Sequence, residues 1–219
     1  MPAILKYILL ILMTLVIILV WIAAPPQSRL GDVSRIFYFH VSSAWIAFLA
    51  FAVSMINSIA YLRKKNIKFD IRAAASAELG LMFSILATIS GSVFAKAAWG
   101  AYWNWDPRET SIFILILIYG AYLALRSAVD DEERKASLSA VYSIFAFITV
   151  PFLVFIVPRI YQSLHPSDTV VNSSGKIQMP PLILFIFISS LVCFTILFFW
   201  IYNLQSRINI YRRGKEQVE

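Results

Sequence analysis

Six apolar runs, each long enough to cross a hydrocarbon layer about 30 Å thick, divide this chain. In such a layer every backbone N–H and C=O must find its partner within the protein, so each run of about twenty residues is expected to form one helix. The runs extend over residues 4–24, 40–62, 73–95, 109–128, 138–157 and 182–203. The third and fourth are the least hydrophobic. The first exceeds the 7 to 15 apolar residues of a signal peptide and is expected to stay as an anchor. Composition agrees: of 219 residues 60% are hydrophobic and only 14% charged, which excludes an ordinary soluble globule. Seventeen Phe, ten Tyr and six Trp exclude a disordered chain. The expected fold class is an all-α membrane protein with six transmembrane helices, forming a single membrane domain over residues 1–219.

Lysine and arginine in short connections are retained on the cytoplasmic side. With the N-terminus inside, the inner segments carry 13 of the 19 basic residues and the outer segments 6. Both termini are therefore expected in the cytoplasm. The inner basic clusters, Arg126 among them, are read as topological retention plus attraction to anionic lipid. The acidic stretch Asp130 to Glu133 is read as a solvated turn.

Several functions are excluded by missing residues. The lone cysteine, Cys193, lies in an apolar run, which leaves no disulfide framework, redox pair or covalent haem-attachment motif. No Gly-x-x-x-x-Gly-Lys loop is present to cradle nucleotide phosphates, so any ATP-driven step needs a partner. The net charge of +7 is explained by topology better than by nucleic acid, which requires a clustered basic face on a soluble module.

Three connections, roughly 25–39, 96–108 and 158–181, face outward in this arrangement, and they hold most of the chemically versatile side chains. Both histidines, His40 and His165, lie in or beside them. For each, an interfacial side chain bonded to water or a headgroup competes with a ligand role. The middle connection reads Trp99-Gly100-Ala101-Tyr102-Trp103-Asn104-Trp105-Asp106-Pro107-Arg108-Glu109-Thr110. One or two aromatics anchor a helix end at the headgroups, whereas four within seven residues make a platform for a large flat ligand. Asp106, Pro107 and Glu109 match an N-cap, a proline at the first helical position and a capping-box acid, and so start the fourth span. His165 precedes Pro166, which disfavours helix at the histidine.

Two imidazoles can fill both axial positions of a haem iron, indole faces can cover the macrocycle, and Arg35, Arg108 or Arg159 can pair with its carboxylates. Arg35 and His40, five residues apart, lie about 140° apart around a helix and need not share a face. Zinc would need carboxylates such as Asp32 or Asp168 beside the two histidines. Two other classes stay open: a membrane haem electron carrier, and a metabolite permease with an aromatic outer gate. The permease needs intramembrane polar groups, of which Glu78 is the main candidate; otherwise Glu78 pairs with a basic side chain such as Arg72 near the cytoplasmic boundary.

The stretch WGAYWNWDPRET, preceded by AKAA, closely resembles the tryptophan-rich WWD motif of haem-handling cytochrome c assembly proteins. Together with RIFYFHVSSAW around Arg35 and His40, the six spans and a second histidine in the last outer loop, it resembles the haem exporter protein C branch of that family over essentially the whole chain. Two positions depart from the usual pattern: Tyr102 where Trp is frequent, and Ser42 where Pro is frequent. The resemblance implies that His40 and His165 are the axial ligands of one non-covalent, transiently held b-type haem. It also implies that Trp99, Gly100, Tyr102, Trp103, Trp105, Asp106 and Arg108, with Arg35, form the haem site. The implied task is non-enzymatic: haem is held at the outer face of the bacterial inner membrane and presented to a membrane-anchored haem chaperone. Implied partners are an ATPase subunit, a second membrane permease subunit and a small single-span subunit.

Overall fold

The computed structural model describes residues 3–165 and 179–216. Six helical segments are long and apolar enough to span a membrane. They are built from α1 (Ala3–Ile22), α2 (Ile36–Lys64), α3 (Ile67–Trp99), α4 (Pro107–Ala128), α5 (Glu132–Pro151) and α7 (Pro181–Glu216). Between α5 and the short α6 (Val157–Ile160), residues Phe152–Ile156 form a π-helical turn just after Pro151.

Several helices overshoot the apolar runs. The 33 residues of α3 measure about 50 Å, well beyond the hydrocarbon thickness. Polar signals outside the bilayer set these ends. The Asn66 side chain accepts from Lys68 N at 3.0 Å and caps α3, after Lys65 closes α2 in the left-handed conformation. The first outer connection is also shorter than expected: Asp32–Arg35 form a 3-10 turn that runs directly into α2, and His40 sits in the second turn of that helix. Pro166 and Asp168, with the rest of residues 166–178 of the last outer connection, lie outside the described residues.

Helix α2 is central, packing against α3, α5 and α7, while α1 leans on α7 at the periphery. The antiparallel pair α2–α3 approaches closely because its facing positions are small, the usual condition for helix packing where lipid removes any hydrophobic drive between helices. Ser76 Oγ donates to Ala50 O at 2.7 Å and Ser54 Oγ to Ala73 O at 2.9 Å. Gly80 admits the Phe51 ring: a Cβ there would lie 2.4 Å from Phe51 Cε1. Phe51 in turn stacks on Tyr119 of α4 at a centroid distance of 3.5 Å, within a core that includes Ile46, Phe83, Leu115 and Val150. Ser42, buried, donates to Tyr38 O at 2.7 Å beside Ser190 Oγ of α7, which donates to the same carbonyl at 2.9 Å.

At the basic end, three charged groups depart from the expected roles. Arg126 forms a two-pronged pair with buried Asp70, at 2.6 and 2.8 Å, and ties α4 to α3 rather than serving only as a topological charge. The acidic stretch does more than turn the chain. Asp131 caps α5 by accepting from Arg134 N at 2.7 Å, and Glu132 bonds both Lys135 at 2.7 Å and Arg213 of α7 at 2.6 Å. Glu78 takes a hydrogen bond from Gln205 Nε2 of α7 and has no pairing with Arg72.

Candidate functional site

The α2–α3 register places the first histidine. His40 lies eleven residues before Phe51, and Gly91 lies eleven after Gly80, so three helical turns separate the two contacts on each helix. The His40 ring therefore fits over Gly91 as Phe51 fits over Gly80: a Cβ at Gly91 would lie 2.7 Å from His40 Cε1. His40 Nδ1 is 2.9 Å from Ala87 O and 3.3 Å from Ser90 Oγ. A carbonyl oxygen only accepts, so Nδ1 carries the proton, and the lone pair remains on Nε2.

The second histidine is held by Asp106. This carboxylate is 4% exposed and caps α4, accepting from Arg108 N at 2.9 Å, with Glu109 completing the capping box. It also accepts from Ser163 Oγ at 2.8 Å, Leu164 N at 2.6 Å and His165 Nδ1 at 2.9 Å. One side chain thus starts a helix and docks the segment that carries the histidine. Burial pushes Asp106 toward protonation, but the donors of Arg108, Leu164 and Ser163 outweigh it and hold the carboxyl below its ordinary range. Burial likewise pushes the His165 imidazole below its ordinary value, opposed by the Asp106 charge, so the neutral ring is favoured. With Nδ1–H given to Asp106, its lone pair too is on Nε2.

The aromatic residues divide into two groups. Trp99 meets the His165 ring at 4.7 Å and stands edge-on to Phe94 at 6.1 Å. Trp103 stands edge-on to Trp105 at 5.7 Å and near Phe113 at 6.1 Å. Trp105 and Tyr102 are 69% and 60% exposed. Trp105 has a left-handed backbone with φ of 56°, a conformation that costs a bulky residue about 1–3 kcal/mol. Glu109 holds that turn by accepting from Asn104 N at 2.7 Å and Asp106 N at 3.3 Å. Gly100 ends α3 at φ 87°, where a side chain would be strained, and Lys96 Nζ bonds its carbonyl at 2.8 Å while lying over Tyr102.

Of the expected site residues, the structure brings Trp99, Asp106 and His165 into direct contact and sets His40 at the same end of the bundle. Arg108 starts α4 beside Asp106 with its Nε buried and without a hydrogen-bond partner, in the field of Arg159. Arg35 is used elsewhere: it pairs with Asp32, reaches Ala24 O at 3.3 Å and lies over Trp21. Sequence reasoning missed Ala87, Ser90, Gly91 and Ser163. The first three were recoverable from the facing small residues of spans two and three; Ser163 carries no local signal.

These features define a multi-pass helical membrane protein with two imidazoles, each presenting one free nitrogen, beside an aromatic-rich rim at one end of the bundle. The Heme exporter protein C family matches over residues 1–219, and the chain belongs to that family. It is similar to Heme exporter protein C of Bradyrhizobium diazoefficiens, 32% identical over 196 residues that cover 90% of this chain and 74% of the relative. The Rhodobacter capsulatus protein of the same name is 28% identical over 207 residues, covering 92% and 84%. For the Escherichia coli K12 protein, also of that name, the figures are 27% over 151 residues, covering 69% and 61%.

Proposed function

We propose that this protein binds haem as cargo between His40 and His165 and passes it on during cytochrome c maturation. The observation that carries the proposal is the shared state of the two imidazoles: each gives Nδ1–H to a fixed acceptor and keeps its Nε2 lone pair. Metal-binding histidines are oriented in this way by carbonyl or carboxylate partners, which also raise the basicity of the ligating nitrogen. Family membership supplies the context of haem handling. The exposed faces of Trp105 and Tyr102 suit the edge of a macrocycle, and Arg108 suits a haem carboxylate.

The distribution of basic residues supports an outward-facing histidine end on the cytoplasmic membrane. Haem held there, between the outer end of α2 and the segment that carries His165, is accessible to a membrane-anchored haem chaperone. An ATPase subunit, a second membrane subunit and a small single-span subunit complete the proposed complex. The task is binding and release, with no bond made or broken by an amino-acid acid or base. The test is pyridine-haemochrome content of the purified protein after haem loading, compared with His40→Ala and His165→Ala at matched expression. A haem band that falls in both variants supports the reading; a parent that stays haem-free in the presence of its partner subunits overturns it.

A further inference from the structure

At the end of the bundle opposite the histidines, a groove of about 250 Å³ opens beside α7, lined by Arg72, Tyr202, Asn203, Ser206, Arg207 and Ile210. It contains two guanidinium groups, from α3 and α7, and no carboxylate. Neither guanidinium has an ion-pair or hydrogen-bond partner among the described residues, whereas Arg35, Arg126 and Arg213 each hold an acid. Ser206 is 4% exposed, and its hydroxyl is buried without a hydrogen-bond partner. The Tyr202 hydroxyl accepts from Asn57 Nδ2 at 3.1 Å and keeps its own proton to donate. Two cations and several spare donors converging at one place are the donor set for a phosphate oxyanion.

What lies along the same face of α7 decides the source of that phosphate. Asn203, Ser206, Arg207 and Ile210 follow the spacing of one helical face. One turn above Asn203 on that face is Phe199, and two turns further Val192, both exposed apolar side chains at 45% and 49%. A ligand that sets an anionic head between Arg72 and Arg207 therefore meets a lipid-facing apolar strip on the membrane side.

We infer that the groove between Arg72 of α3 and Arg207 of α7 binds the phosphate of an anionic phospholipid, whose acyl chain lies along the Phe199 face. This site is independent of the haem reading. It fixes α7 against α3 at the basic end through a shared counter-ion, in the manner of the Asp70–Arg126 pair between α3 and α4.

The experiment is native mass spectrometry of the full-length protein in detergent, titrated with phosphatidylglycerol or phosphatidylcholine. Retained phosphatidylglycerol is expected to exceed phosphatidylcholine and to fall about tenfold in Arg72→Gln/Arg207→Gln. Arg63→Gln/Lys68→Gln removes the same charge from exposed positions outside the groove and should leave retention near the parent. Ser206→Ala, which keeps both charges and the packing, should lower it about threefold. Size-exclusion profiles and helicity establish that the variants fold. Equal loss in the two double variants would reduce the effect to general surface charge and overturn the site. Displacement of phosphatidylglycerol by inorganic phosphate would make the ligand a free anion rather than a lipid, and would overturn the assignment equally.

Discussion

At the scale of single residues, the two histidines are held by different means. His40 depends on an absence, the missing side chain of Gly91. Gly91→Ala puts a methyl 2.7 Å from the ring carbon Cε1 and must rotate the imidazole off Ala87 O. Haem retention is expected to drop at least about tenfold while the helical content stays constant, as checked by haemochrome assay and circular dichroism. His165 depends on a charge. Its neutral form binds iron and its pKa lies below the ordinary value of about 6.5, so retention should persist at that pH and fall only in more acidic buffer. Asp106→Asn removes the negative charge that pulls the imidazole pKa up, and the acid midpoint for haem loss should move to still lower pH. A midpoint that rises, in a pH titration of the haem spectrum, would contradict this account of the pair.

At the scale of elements, the α2–α3 hairpin and the α4 cap carry the site. Gly80→Ala should destabilise the fold, because a Cβ would lie 2.4 Å from Phe51 Cε1; Phe51→Ala removes the obstacle, so the double variant should lose less than the sum of the single losses. Thermal unfolding of the four proteins in one detergent measures this coupling. The cap makes a different prediction. Asp106→Ala costs about 1 kcal/mol as a lost N-cap and also releases Ser163, Leu164 and His165, so melting temperature and haem content should fall together. The fourth-span cap was legible in the sequence because Asp106, Pro107 and Glu109 form a local pattern. The contact of Asp106 with His165 was not, since 59 residues separate them and nothing local specifies the pairing. The overshoot of α2, α3 and α7 was hidden for a related reason: hydropathy reports where lipid lies, whereas helix ends are set by caps and ion pairs in water. The hydrogen bond that Glu78 takes from Gln205 of α7 was likewise not legible, since 127 residues separate the two.

For the molecule as a whole, the six apolar runs specified the architecture because a membrane leaves the backbone little alternative to helix. They did not specify which helices touch. That arrangement comes from small residues on α2 and α3 and from the Asp70–Arg126 and Glu132–Arg213 links at the basic end. The molecule is accordingly polarised: arginine–carboxylate pairs tie helix to helix at one end, and imidazoles and indoles gather at the other. With Cys193 replaced by Ser, a cysteine at exposed Tyr102 should react with an impermeant maleimide added to intact spheroplasts, and one at exposed Lys64 only after lysis. The central claim, that one haem iron is held by both imidazoles, is tested most directly by electron paramagnetic resonance of the ferric haem-loaded protein. A low-spin bis-imidazole signal is predicted for the parent, giving way to a high-spin signal in both His40→Ala and His165→Ala. A high-spin parent, or a low-spin signal that survives either substitution, would contradict it.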